Sequence, residues 1–356
     1  MLDPVKKLIV VATKIQDGRG GISSALSGYL NGLDRKGVDY ELVESHGASE
    51  NMFITWLKAF WTIACLSYKY RGGKAVFWFH CAQWLSMFRK FSLAIIPRLF
   101  ACETLGHIHS PAFSDYLSSS GATRSLTKIS LLPYTQLIML TPWWKSLLEQ
   151  HGITASAFVS PNPNSDKYCQ VAECLLDKNR TIDKCKSSFA ILTMARLVEG
   201  KGVEVVIEAL AKLPKHFTLT VAGDGDKRVE LEALVEQLGL AERVEFTGWI
   251  NGEQKETLLR KADLFCLPST YDSFGMVFIE AMAFDLPVVA YGWGPIVDVV
   301  TTDVGVCCSS PTVDNVKAAI TDVCDDLGRF SGAGPKKVLS QYTADIAATN
   351  IANLLK

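Results

Sequence analysis

The sequence predicts an α/β protein built from two Rossmann-like domains, and three observations carry that prediction. Short apolar, β-branched runs alternate with helix-length amphipathic segments almost from end to end, the pattern of parallel strands covered by helices on both faces. The alternation breaks once, over residues 160–186, where Ser160-Pro161-Asn162-Pro163-Asn164-Ser165-Asp166 leads into a charged, cysteine-containing stretch of weak periodicity. The chain has 356 residues, more than the roughly 200 that one core usually serves.

Taken in order, the strand-like runs before the break are 8–13, 40–43, 75–80, 105–109, 137–141 and 157–160. Each is short and continuously apolar, as a strand buried on both faces requires. After the break the runs are 189–195, 217–222, 244–247, 264–267, 287–291 and 304–307, with helical patterns at 203–213, 227–238, 254–261 and 278–283. A final helical segment, 344–355, has alanine and leucine spacing suited to packing on another surface. The expected organisation is therefore 1–165, 166–340 and a C-terminal helix, 341–356, that crosses back to the first domain. Two such domains facing one another leave a cleft at the carboxyl ends of their strands, where ligands of this class bind.

The net charge of −1 argues against a nucleic-acid binder with a general phosphate footprint. That total is a cancellation: residues 1–165 carry 16 Lys/Arg against 10 Asp/Glu, and residues 166–356 carry 20 against 27. The ten cysteines show no paired metal-site spacing, and the chain enters its first strand directly after Lys7, so reduced thiols and a cytoplasmic setting are expected. No uninterrupted apolar window reaches the ~18 residues of a membrane span; the nearest, 52–68, contains Lys58.

Three segments carry candidate chemistry. Gly18-Arg19-Gly20-Gly21-Ile22-Ser23 follows the first strand and opens a helix, so Gly20 and Gly21 let the backbone approach an anion. The spacing is not G-x-G-x-x-G, which disfavours an NAD enzyme. In the second half, Arg196 ends a strand and Lys201 sits between Gly200 and Gly202 at the next helix start; two cations bracketing such a loop can neutralise a departing diphosphate. The third segment runs from Pro268 to Ala283. Asp272 lies in its loop, Phe274, Gly275 and Met276 mark a helix start with free amides, and Glu280 stands in an otherwise apolar turn. A carboxylate there needs hydrogen-bond donors, which ribose or sugar hydroxyls would supply.

Asp272 and Glu280, eight apart with Phe274-Gly275 between them, resemble the E-x7-E motif of retaining glycosyltransferases of the glycogen-synthase-like group, glycosyl transferases group 1, with Asp in place of the first Glu. The surrounding order is similar too: Gly20-Gly21, Arg196 and Lys201, Ala222-Gly223-Asp224-Gly225, Val244-Glu245-Phe246-Thr247-Gly248, and Glu280-Ala281-Met282-Ala283. The likeness is dense over residues 189–305 and sparse before them. The family's Gly-Gly-x-x-Glu stretch is altered here to Tyr291-Gly292-Trp293-Gly294-Pro295-Ile296-Val297-Asp298.

This resemblance implies a GT-B fold, with an acceptor-side domain first and a nucleotide-sugar domain second. It implies that Arg196 and Lys201 hold the donor diphosphate, that Glu280 binds the ribose, and that Asp272 meets donor-sugar hydroxyls. The backbone at Gly20, Gly21, Gly223, Phe274, Gly275 and Met276 would complete the donor site, and His109 would reach the donor sugar from the first domain. His107 shares a strand face with His109. With His80, which ends the preceding aromatic strand, His107 is the candidate for acceptor contact; for both, a place in the core is the competing reading.

The implied activity is retaining transfer of a sugar from a nucleotide-sugar, UDP-linked before GDP-mannose, to a glycan or lipid-linked acceptor of bacterial surface polysaccharide. No cofactor, metal or nucleic acid is expected. A sugar-nucleotide epimerase or phosphorylase of the same fold, or a non-catalytic glycan-binding scaffold, are the alternatives. The aromatic and basic segments 53–70, 88–91 and 95–100 in the positively charged half add an expectation of peripheral membrane contact. For 53–70, the helix would present Phe53, Ile54, Trp56, Leu57, Phe60, Trp61 and Ala64 on one face and Thr55, Lys58, Thr62 and Lys69 on the other; a buried helix covering the first sheet is the alternative.

Overall fold

The computed structural model describes residues 6–14, 21–46, 52–176 and 188–356. They form two compact units, one of residues up to Ser165 together with Thr343–Lys356, the other Asp166–Tyr342. The first unit runs β1 (Lys7–Thr13), α1 (Gly21–Arg35), β2 (Tyr40–His46), α2 (Met52–Lys69), β3 (Ala75–Cys81), α3 (Trp84–Leu99), β4 (Glu103–Ile108), α4 (Phe113–Ser118), α5 (Ala122–Leu131), β5 (Gln136–Met139), α6 (Pro142–Gln150) and β6 (Ser156–Val159). All six strands are parallel, in the order β2-β1-β3-β4-β5-β6. β3 shows why the strands lack alternation: all seven of its residues are buried, as a strand covered on both faces must be.

The second unit runs α7 (Asp166–Leu176), β7 (Phe189–Met194), α8 (Val203–Ala211), β8 (Phe217–Ala222), α9 (Arg228–Gln237), β9 (Val244–Gly248), α10 (Gly252–Lys261), β10 (Leu264–Leu267), α11 (Met276–Ala283), β11 (Val288–Tyr291), α12 (Ile296–Val299), β12 (Gly305–Cys308), α13 (Val313–Asp325) and α14 (Ala333–Gln341). Its sheet is also parallel, in the order β12-β11-β10-β7-β8-β9. The first strand of this unit is thus flanked by its second and fourth, the arrangement that reverses direction between β7 and β10. The first unit reverses between β1 and β3. Loops leaving these neighbouring strands part to opposite faces, and ligands settle between them.

The last helix, α15 (Ala344–Asn353), packs on α1 within the first unit. Gly32 of α1 makes the approach close: a Cβ there would stand 2.2 Å from the Ala344 carbonyl oxygen. Ala347, Ala348, Ile351 and Leu355 join Leu8, Val10, Tyr29 and Trp78 in one apolar core, and each fully buried large side chain contributes about 1.5–3 kcal/mol. Thr343 caps the helix, accepting a hydrogen bond from the Ile346 amide at 3.3 Å.

Two segments differ from the sequence expectation. Part of the break, 166–176, is helix α7, whose buried Tyr168, Cys169, Val171 and Ala172 pack toward α14 and α11; four apolar positions among charges gave too weak a period to see. Helix α2 lies on the first unit, but not with the large apolar face that the buried-helix alternative would use. Thr55, Ala59, Ile63, Leu66 and Ser67 are buried, while Phe53, Ile54, Leu57, Trp61 and Tyr68 are exposed. Small side chains let the helix lie close on β2 and α3, and the large apolar ones are left facing out.

Candidate functional site

In the second unit the site grows from the loops that follow β7 and β10. The Thr270 amide donates to the Gly200 carbonyl at 2.8 Å, and the Ser269 hydroxyl donates to the same oxygen at 3.2 Å, so the two loops are tied together. Lys201 extends from the first loop to the second. Its ammonium donates to Asp272 Oδ1 at 2.9 Å and to the Tyr271 carbonyl at 2.9 Å, with Ser269 Oγ at 3.5 Å. Both partners are mostly covered, at 16% and 18% side-chain exposure. The other carboxylate oxygen, Asp272 Oδ2, is buried and accepts no hydrogen bond among the described residues. An anionic oxygen left so is costly unless a ligand completes it.

Arg196 stands just past β7, exposed, and its guanidinium makes no ion pair among the described residues. Behind it, the backbone at Gly223 follows β8 with φ 145°, and a Cβ there would lie 1.8 Å from the Ala195 carbonyl oxygen. Only glycine fits that crossing of two loops. Gly275 begins α11 in the left-handed region, φ 79°, and brings no side chain over the first-turn amides. Those amides of the Met276 turn are therefore open to an anion. Phe274 is buried and meets the Tyr342 ring edge-on, so its contribution to a ligand is backbone alone.

Glu280 lies on the buried side of α11 and pairs with Lys255 of α10. The sequence reading missed Lys255. The capping box of Asn251 and Gln254 fixes where α10 starts, but nothing along the chain says which residue faces Lys255. The structure thus brings Lys201 and Asp272 together, keeps Glu280 with a different cation, and leaves Arg196 outside both pairs.

In the first unit, Gly21 is the first residue of α1, while Gly20 lies outside the described residues. His80, His107 and His109 gather at the ends of β3 and β4, all buried, at 2%, 0% and 3% exposure. His80 Nδ1 and His109 Nε2 share a hydrogen bond of 3.0 Å, and the His107 and His109 rings are 4.0 Å apart, centre to centre. Trp78 stacks on His107. His80 Nε2, His109 Nδ1 and both nitrogens of His107 have no partner among the described residues. Burial, with the Lys90 ammonium as a smaller cause, pushes His109 down to about 3; burial also holds His80 and His107 well below the usual range. All three are neutral at pH 7.

His80 and His107 are buried in the core of the unit, as His109 is. His80 fixes the tautomer and direction of His109. Lys90, read from sequence as part of a membrane-facing basic run, is buried; it donates to the His80 carbonyl and to Ser86 Oγ, and burial lowers its pKa to about 8. The imidazole nitrogens lie within 4.8 Å of one another, a donor set that metals take. No carboxylate stands among them, and the Lys90 charge works against a cation there.

Comparison with known proteins adds the following. Residues 178–330 match the family of glycosyl transferases group 1. An uncharacterised glycosyltransferase of Methanocaldococcus jannaschii is 29% identical over 298 residues, covering 78% of this chain and 74% of the relative. An N-acetylgalactosaminyltransferase of Campylobacter jejuni that acts on a diphospho-undecaprenol-linked sugar is 28% identical over 205 residues, covering 55% of this chain and 53% of its own length. Other curated relatives are matched over as little as 27% of their length. Among solved structures, sucrose-phosphate synthase from Thermosynechococcus elongatus superposes with a TM-score of 0.75 at 20% identity over 98% of each chain. The Anabaena protein HepE, in complex with UDP, superposes with a TM-score of 0.69 at 18% identity over 98% of this chain and 99% of its own.

Proposed function

Since residues 178–330 match the group 1 glycosyl transferases and the chain has the GT-B fold, we propose that it is an enzyme of that family and moves a sugar, with retention at the anomeric carbon, from a nucleotide-sugar to a lipid-linked or glycan acceptor. The second unit takes the donor and the first unit takes the acceptor. UDP-sugars are the preferred donor class, supported by the UDP bound to HepE, with GDP-mannose second. The Campylobacter relative supports an acceptor borne on a polyprenyl diphosphate and a place in bacterial surface-polysaccharide synthesis.

The observation that carries this reading is the Lys201–Asp272 pair at the point where the second sheet reverses, with Asp272 Oδ2 left unsatisfied. A donor diphosphate draws Lys201 and Arg196 to its oxygens, where they stabilise the charge that grows as the nucleoside diphosphate leaves. Asp272 then has both oxygens for sugar hydroxyls, and the open amides at Met276 add a second anion contact. Glu280, held by Lys255, turns its remaining acceptor capacity to ribose. His109, neutral and aimed by His80, offers a hydrogen bond to the donor sugar. Gly21, the first residue of α1, has no side chain to keep an anion from its backbone.

Thermal unfolding with UDP, GDP and ADP tests the reading. A ligand at about 100 times its Kd raises stability by about 2.7 kcal/mol, or several degrees. UDP is expected to raise Tm in the wild type and not in the Arg196→Ala, Lys201→Ala double variant. Absence of a shift with every nucleoside diphosphate, or an equal shift in the double variant, would refute it. Proton NMR of the product then reads the anomeric configuration directly.

A further inference from the structure

We propose that α2, α3 and α5 of the first unit form a docking surface for an anionic lipid bilayer. The inference rests on the reading of a membrane-borne acceptor for its purpose, and on the surface itself for its evidence. Helix α2 buries Thr55, Ala59, Ile63, Leu66 and Ser67, while Leu57, Trp61 and Tyr68 stand 40%, 62% and 60% exposed. A helix that only covered a sheet would turn its large apolar side chains inward, and this one leaves Phe53, Leu57, Trp61 and Tyr68 outward. Such a patch on a protein in water marks a contact with something apolar.

The patch continues across neighbouring helices. Trp56 Nε1 donates to Ser92 Oγ of α3 at 3.3 Å, and Tyr68 meets Phe100, just past α3, edge-on. Leu85 and Leu99 of α3 are 75% and 77% exposed, and Leu132, just past α5, is 76% exposed. Between α3 and α5 an open groove of about 380 Å³ is lined by Phe91, Ile95, Arg98, Leu99, Leu132 and Pro133. Its walls are apolar and it carries one cation, the composition suited to an acyl chain beside a headgroup phosphate.

Charge selects the partner. Helices α2, α3 and α5 contain no Asp or Glu, and the sequence has none between Glu50 and Glu103, a stretch with seven Lys and Arg. Of these, Lys58, Lys69, Arg71, Lys74 and Arg98 are exposed. Aromatic and aliphatic side chains interspersed with cations, without a single anion, match the interface of a negatively charged leaflet. No described helix is long and apolar enough to cross a membrane, so the contact is with the surface of the bilayer.

Co-sedimentation of the full chain with vesicles tests this, in the absence of nucleotide. Vesicles of equal parts phosphatidylglycerol and phosphatidylcholine are compared with phosphatidylcholine alone, at low salt and in 0.5 M salt. Binding is expected to the anionic vesicles at low salt, with at least a tenfold loss in either other condition. Lys58→Gln with Lys69→Gln should weaken it about 25-fold, at about fivefold per cation, and Trp61→Ser with Leu99→Ser at least tenfold. UDP-induced thermal stabilisation, read on the same variants, should persist; Lys201→Ala should show the reverse, keeping vesicles and losing UDP. No binding to anionic vesicles at low salt overturns the proposal, as does equal binding to neutral ones. A solution dimer that Trp61→Ser dissociates, with vesicle binding unchanged, assigns the face to a second copy and also overturns it.

Discussion

Both sheets bring polar side chains to the carboxyl ends of the strands beside their reversal points, yet they do so with opposite chemistry. In the second unit these are Lys201 and Asp272, charged, partly open to solvent, and left with an oxygen to spare. In the first they are His80, His107 and His109, stacked, buried and neutral, with Lys90 beneath them. The first arrangement holds charge ready for a charged ligand. The second uses burial to keep its imidazoles uncharged, so that they can hydrogen-bond without adding a cation. Donor binding should therefore respond strongly to charge in the second unit and weakly to charge in the first.

The largest effect that tests this contrast is in turnover. On the proposed reading Lys201→Ala removes a charge that meets the leaving group, and kcat/KM should fall about 10²–10³-fold, as when one donor to developing negative charge is deleted. His80→Phe keeps volume and ring stacking but releases His109. Its effect should be smaller and should appear without loss of UDP-induced stabilisation. If His80→Phe abolishes UDP binding while Lys201→Ala leaves it intact, the assignment of donor and orienting roles is reversed.

Next in size is the response to alkaline pH. Burial holds Lys90 at about 8 against an ordinary 10.5, so between those values the unfolded chain binds more protons than the folded one. The penalty for the buried ammonium is therefore complete below pH 8 and is relieved as pH climbs toward 10.5. The unfolding free energy of wild type relative to Lys90→Met should rise by about 3 kcal/mol across that window. Chemical denaturation at pH 7.5, 9 and 10.5 measures it, and a flat difference would place the ammonium in water rather than under His80.

The same contrast explains what could be read along the chain. Each of the twelve strand-like runs in the sequence overlaps a strand, to within two residues at its ends where it runs past, because a strand buried on both faces leaves an uninterrupted apolar run that depends on no partner. Arg196, Lys201, Gly223 and Asp272 were visible as candidates because each sits in a loop directly after a strand, where chain order alone fixes position. Pairings between distant segments were not visible. His80 meets His109 only because β3 and β4 are adjacent in the sheet, and Lys255 finds Glu280 only through the packing of α10 and α11. In 53–70 the apolar residues occupy most of the circumference, so periodicity gave no direction; Thr55, Ala59, Ile63, Leu66 and Ser67 turn inward and Trp61 and Tyr68 outward.

That last distinction yields the smallest expected effect. Trp61 is 62% exposed and Ile63, two residues on, is fully buried. If the outward face has no part in holding the unit together, Trp61→Ser should change unfolding free energy by no more than about 0.5 kcal/mol, although it removes one of the two largest side chains of the helix. Ile63→Ala should cost about 2–5 kcal/mol through lost burial and the cavity it leaves. Urea titrations of the two variants compare the faces within a single helix, free of any difference between the units. A Trp61→Ser loss approaching that of Ile63→Ala would mean that the aromatic face is packed in solution, and the outward orientation of α2 would then need a protein partner rather than a bilayer to explain it.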